Sequence, residues 1–225
     1  MSDEATFQKL LTDNPDDAVN WLVYADWLET AGETLRASVV RLHLEMLEQT
    51  EHVPRLAIAR KMLDAAAELP RAWLARFPVR RALAGECWGA RDSDEGVYLV
   101  QFRADGTLLF KQGNPGGTSD EPDTEHGDGY WIQIGDAMAF SIALHNNRKK
   151  DFSRQDGVLT PPGKKPRLAG IGSNADGTIW TWKLAPIKRS EFDDSELPEL
   201  PDKPKDSSQR STDKTKHLLP KRRWD

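Results

Sequence analysis

The chain has 225 residues, 30% of them charged and 38% hydrophobic, with a formal net charge of -5. That length holds one large domain or two small ones with linkers, and the low hydrophobic content predicts that part of the chain is disordered. The mildly acidic balance argues against a nucleic-acid coat, and Cys87 as the only cysteine excludes intramolecular disulfides and multi-cysteine zinc sites.

The opening MSDEATFQKL carries acids and no apolar stretch, unlike a secretory signal, and no run of about 18 apolar residues is present to span a bilayer. A soluble, cytoplasmic protein is the expectation. Residues 1 to 82 read as helical. Ser2 can cap a first helix whose opening turn holds Asp3 and Glu4, where the helix dipole favours negative charge. Phe7, Leu10 and Leu11 give it an apolar face, and Asn14-Pro15 stops it. A second helix starts near Asp16 or Asp17 and runs to about Thr30, with Gly32 placed to end it. A third carries Leu35, Val39, Leu42 and Met46 as a stripe of 3.6-residue period. A fourth follows Pro54, with Leu56, Ala59, Leu63 and Ala66 inward, and Pro70 opens a short segment containing Trp73, Leu74 and Phe77.

The second helix is the most distinctive. Trp21, Leu22, Val23, Tyr24, Ala25, Trp27 and Leu28 occupy most of its circumference and leave a narrow sector to Asp26 and Glu29. Apolar nearly all round, such a helix is expected to be covered by its neighbours. Asp26 then sits at the edge of the core and needs a cation, Arg36 or Arg41, because a buried unpaired carboxylate is costly. Its expected role is structural.

From about residue 86 the period changes from 3.6 to 2. Tyr98, Val100 and Phe102 alternate with Leu99 and Gln101; Tyr130, Ile132 and Ile134 with Trp131 and Gln133; Met138, Phe140, Ile142 and Leu144 with smaller residues; and Trp180, Trp182 and Leu184 with Ile179, Thr181 and Lys183. Turn chemistry recurs at Asp105-Gly106, Gly135-Asp136, Gly157, Gly163 and Asp176-Gly177. Seven or eight short antiparallel strands over residues 86 to 187 predict an up-and-down barrel or a sandwich. A long acidic, glycine-rich loop is expected from Gly113 to Gly129.

Residues 188 to 225 read as a disordered tail of two halves. Residues 191 to 202 contain six acids and no basic residue, and residues 203 to 223 contain eight Lys or Arg against two Asp. The fold class expected is therefore α+β, an all-α module at 1–82 followed by an antiparallel β-barrel or sandwich at 86–187 and the tail.

The stretch Leu22-Val23-Tyr24-Ala25-Asp26-Trp27-Leu28-Glu29, with its Asp13 to Asp17 lead-in, Gly32, Arg36-Ala37 and Arg41-Leu42, resembles the bacterial repeat-companion domain. Ser38 and Val39 stand where that family tends to have Glu and Phe. The resemblance covers roughly residues 1–82 and implies a helical module of a bacterial cell with no catalytic role. Residues 86–187 are loosely similar to lipocalin-like or calycin barrels through Trp88, Phe102 to Leu108, Gly129-Tyr130-Trp131 and Gly177 to Trp180.

Chemistry-bearing patterns are few. The five histidines form no HExxH pair, and His43 and His52, nine apart, fall out of phase on a helix. Cys87 has no basic neighbour in sequence, and no Gly-x-Ser-x-Gly elbow occurs. Gly113 to Gly117 lacks the Lys-Ser/Thr end of a phosphate loop. Asp120 to Asp128 is oxygen-rich, but its spacing misses the twelve-residue calcium loop. Arg148 to Lys150 and Lys164 to Arg167 are basic clusters on expected loops, able to contact phosphate or acidic protein. No catalytic, metal or cofactor residue is assigned. Trp21, Tyr24, Asp26, Trp27, Arg36 and Arg41 are expected to be structural. Tyr98, Phe140 and Trp182 are the candidates for lining a ligand cavity. The leading expectation is a non-enzymatic accessory or protein-interaction protein. Small-ligand binding in the barrel is the alternative, along with nucleic-acid association through the basic tail, which would be strongly salt-dependent.

Overall fold

A computed structural model describes residues 3–92, 97–113, 124–146, 149–161 and 163–187. The expected tail, most of the acidic loop and Arg148 lie outside them. Five helices come first: α1 (Asp3–Asp13), α2 (Ala18–Thr30), α3 (Thr34–Glu48), α4 (His52–Ala66) and the short α5 (Arg71–Leu74). Eight strands follow: β1 (Cys87–Asp92), β2 (Val97–Phe102), β3 (Thr107–Gly113), β4 (Thr124–Ile134), β5 (Ala137–Asn146), β6 (Lys149–Leu159), β7 (Leu168–Asn174) and β8 (Ile179–Ile187). Each strand pairs antiparallel with the next, and β8 returns to pair with β1, so the barrel is closed and of the up-and-down type. Closure leaves no edge strand to template aggregation. No helix among the described residues is long and apolar enough to cross a membrane.

The ends of α2 show how the local sequence sets its limits. Asp17 holds an extended backbone, and its Oδ1 accepts from the N–H of Val19 at 2.9 Å and of Asn20 at 3.4 Å, satisfying donors with no partner inside the helix. At the other end Gly32 takes φ +82, which lets its N–H reach Glu29 O at 3.0 Å and that of Glu33 reach Leu28 O at 2.8 Å. This closure needs a left-handed residue, a conformation that glycine adopts without steric cost. α4 begins at His52, before the expected start after Pro54. In the first turn a missing proline N–H costs nothing, since no carbonyl precedes it there.

The helical core is aromatic. Trp21 stacks on Phe77 with ring centroids 5.2 Å apart, and Tyr24 stacks on Trp27 at 6.0 Å. Trp21 Nε1 donates to Pro15 O at 2.8 Å and Trp73 Nε1 to Tyr24 Oη at 3.2 Å, so both buried indole N–H groups are satisfied. Two sequence expectations are corrected. α2 is not covered on every side, for Leu22 and Val23 are 46% and 49% exposed. The reason is geometric: α1, α3 and α5 reach the Trp21, Tyr24, Ala25 and Leu28 side and stop there. The stripe in α3 is also offset, with Val39 and Met46 buried but Leu35 exposed and Leu42 half-buried.

The core does not stop at the last helix. Ile132, Ile134, Ala137, Ala139 and Val158, on the outer face of β4, β5 and β6, belong to the same apolar cluster as Ile58, Ala59, Met62 and Leu63 of α4. Alanines at 137 and 139 let the helix approach the sheet closely. Ion pairs flank this seam. Arg55 of α4 donates to Asp136 at 2.5 Å, and Arg80 adds a bond to the same carboxylate from Nε at 3.0 Å. Arg60 reaches Asp156 at 3.3 Å, and Arg154 links Asp156 and Asp64.

Other differences from the expected elements have steric or pairing causes. β4 starts at Thr124, so Thr124 to Gly129 of the expected loop are strand, paired with β3. Lys149 and Lys150 lie in β6, paired with Asn146 and His145, instead of in a loop. Gly157, read as a turn residue, is mid-strand in β6.

Candidate ligand site in the barrel

The strand register divides the barrel residues into two faces. Trp88, Val100, Phe102, Leu108, Phe110, Trp131, Met138, Phe140, Ile142, Trp182 and Leu184 form the interior cluster. One end is plugged. Leu83 is fully buried at the base of this cluster, held by its N–H on Gln133 Oε1 at 3.1 Å, while Gln133 Nε2 donates to Arg81 O at 2.8 Å. Arg81 lies over the Trp88 ring at 5.4 Å and pairs with Glu86 at 2.7 Å. The segment entering the barrel thus forms its floor. Above the floor, Phe102, Phe140 and Trp182 make a ladder of edge-to-face contacts at 5.8 and 5.5 Å.

Three glycines make room for the tryptophans. Gly157 faces Gly170 across β6 and β7, and Gly172 follows on the same face. A Cβ at Gly157 or Gly170 would collide with the six-membered ring of Trp182, and a Cβ at Gly172 with Trp180 and the Gln155 side-chain oxygen. The indoles therefore lie against bare backbone. This explains why a glycine stands mid-strand, where it would otherwise weaken the sheet.

Polar atoms also face inward. Gln155 and Ser153 are 5% and 8% exposed, and Gln155 Nε2 donates to Ser153 Oγ at 3.3 Å. Gln155 Oε1, Trp182 Nε1 and Trp88 Nε1 are buried and have no hydrogen-bond partner among the described residues. Gln155 pairs in register with Phe140 and Gly172, while Trp182 touches Phe140 and Gly170. The acceptor and the Trp182 donor consequently border the same stretch of wall. An unpartnered buried polar group costs about 1–3 kcal/mol, and folded proteins hold few of them.

The residues singled out in the sequence fall into separate places. Phe140 and Trp182 come together inside the barrel; Tyr98 has the same strand parity, but its side chain lies outside the described ones. Trp21, Tyr24 and Trp27 are in the helical core. Asp26 is more exposed than its expected place at the core edge, because α2 turns that side to solvent. Arg41 is its partner at 2.8 Å and also holds Glu29 at 2.6 Å. Arg36 turns instead to Glu4 and Glu33 and lies 5.6 Å over the Trp73 ring. Sequence reasoning missed Gln155 and Ser153, whose signal is a polar residue on the inward parity of a strand. It also missed Arg55 and Asp136, which no local pattern marks as buried. His43 is buried, and its Nδ1 has no hydrogen-bond partner among the described residues. Burial first, then the charges of Arg55 and Arg80, push its pKa down to about 4. Among the described residues no group of three His, Cys, Asp or Glu converges as a metal would require.

No protein-family model matches the chain, so the repeat-companion resemblance of residues 1–82 gains no support from that comparison. No curated protein matches it either. Solved structures that resemble it are β-barrels. A low-affinity mutant of shwanavidin is 14% identical with a TM-score of 0.34, covering 49% of this chain and 100% of its own. A rhizavidin–biotin complex is 13% identical with a TM-score of 0.34, covering 48% of this chain and 98% of that one. A redesigned β-barrel is 20% identical with a TM-score of 0.33, covering 54% and 99%. The likeness is one of barrel shape and extends no further.

Proposed function

We propose that the barrel binds a small neutral molecule, with an apolar ring against Phe140 and Trp182 and a polar end toward Gln155. The observation that supports this reading is the pair of unmatched atoms on one stretch of inner wall, the Gln155 acceptor and the Trp182 donor. A ligand offering a donor beside an acceptor removes both desolvation costs at once. A floor closed by Leu83 and a glycine-paved wall supply the rigid, mostly apolar surroundings that small-molecule sites use. In this reading the chain is a binding protein and not an enzyme.

The test is native mass spectrometry of the full chain incubated with a panel of small heterocyclic amides and ureas. Biotin is included because it is the molecule of the rhizavidin complex. A discrete adduct is expected, lost in Gln155→Leu and weakened in Trp182→Phe. If no member of the panel or of a cell extract gives an adduct, or if both variants bind as the parent does, the reading fails.

A further inference from the structure

α2 carries an apolar face that neither the helical core nor the barrel uses. Val19, Leu22 and Val23 are 66%, 46% and 49% exposed. At spacings of three and four residues they share one side of the helix. Acids surround them. Asp16 and Asp17 lie exposed at the start of the stripe, Asp26 and Glu29 at its end, and Glu45 and Glu48 on the neighbouring α3. Arg41 answers Asp26 and Glu29. Across residues 1–51 there are eleven acidic side chains and three basic ones. An apolar stripe in a negative field selects an occupant that is basic and apolar together.

The same chain contains such a segment. Residues 214–224 read KTKHLLPKRRW, placing Leu218, Leu219 and Trp224 among five Lys or Arg. We propose that this segment docks on the α2 face of its own chain, its leucines and tryptophan covering Val19, Leu22 and Val23 and its cations meeting Asp16, Asp17, Glu45 and Glu48. The 26 residues between Ile187 and Lys214 extend to about 85 Å, well beyond the ~30 Å diameter of a small domain. The tether also raises the local concentration of the segment to the millimolar range, so a small contact area suffices. A second copy fits less well. Two α2 faces crossing antiparallel about Leu22 set Asp16 and Asp17 of one copy against Asp26 of the other, an unfavourable like-charge contact.

Zero-length carbodiimide cross-linking of the full chain, mixed in equal parts with its nitrogen-15 form at low salt, tests this. The expected products join Lys214, Lys216 or Lys221 to Asp16, Asp17, Glu45 or Glu48 within one isotopic chain. Their yield should fall about tenfold in Leu22→Gln with Val23→Gln. Both positions are exposed, and an unchanged far-ultraviolet circular dichroism spectrum verifies that the variant folds. Mixed-isotope products would assign the face to a second copy and overturn the proposal. So would links confined to the acidic block 191–202, a yield unchanged in the variant, or no link to α2 and α3.

Discussion

Arg55 and Asp136 form an ion pair at 2.5 Å between α4 and the β4–β5 turn, and each side chain is only 2% exposed. They are 81 residues apart in the chain, and their contact ties the helical layer to the barrel. Arg80 approaches the same carboxylate from its more exposed side. Asp136 thus serves two cations, one of which has no route to water.

Asp136→Asn leaves the Arg55 charge buried without a counter-ion. Breaking one side of such a pair costs about 3–5 kcal/mol. Urea unfolding should show that loss, and Arg55→Met added to Asp136→Asn should recover most of it. If the single variant unfolds at the parent midpoint, the pair does not hold the two layers together.

His43 makes stability depend on pH. Its pKa is lowered from 6.5 to about 4 in the folded chain, so between these values the unfolded state binds the proton and the folded state does not. Stability from the neutral imidazole is fully present above pH 6.5 and is lost as pH falls toward 4. The amount is about 3 kcal/mol. The difference in unfolding free energy between the parent and His43→Leu should be flat above neutrality and should shrink through that window. A difference independent of pH would contradict the assignment.

Gly157 is held by the ring above it. In Gly157→Ala the new methyl group must displace Trp182, an overpacking cost of about 1–3 kcal/mol. The smaller ring of Trp182→Phe should restore stability in the double variant. Thermal melts of the four chains measure the coupling; additive single effects would show that the ring and the glycine do not meet.

Asp17→Ala removes the acceptor that caps α2 and should cost about 1 kcal/mol, with Asp17→Asn nearly neutral. Chemical denaturation distinguishes the two, and equal losses would point to charge in place of capping geometry.

Much of the architecture was legible because it follows local periodicity. The limits of α2, the change of period near residue 86 and the alternating runs at Val100, Phe140 and Trp182 depend on residues a few positions away. The ligand site was legible only in part: Phe140 and Trp182 stood out as aromatic, but Gln155 and Ser153 lie in a run, Ser153-Arg154-Gln155-Asp156, that is polar on both faces. Nothing local tells which parity looks inward there, since the answer is set by pairing with β5 and β7.

By itself the sequence determined that helices precede strands, where α2 begins and ends, and that Asp26 would meet an arginine. Only the tertiary structure decided that the sheet closes into a barrel, that α4 seats on its outer wall, and that Gly157 belongs under an indole. Helix and strand periods are short-range properties of the backbone. Barrel closure, parity at polar runs and the burial of Arg55 against Asp136 arise from contacts between distant segments, whose energies no local window contains.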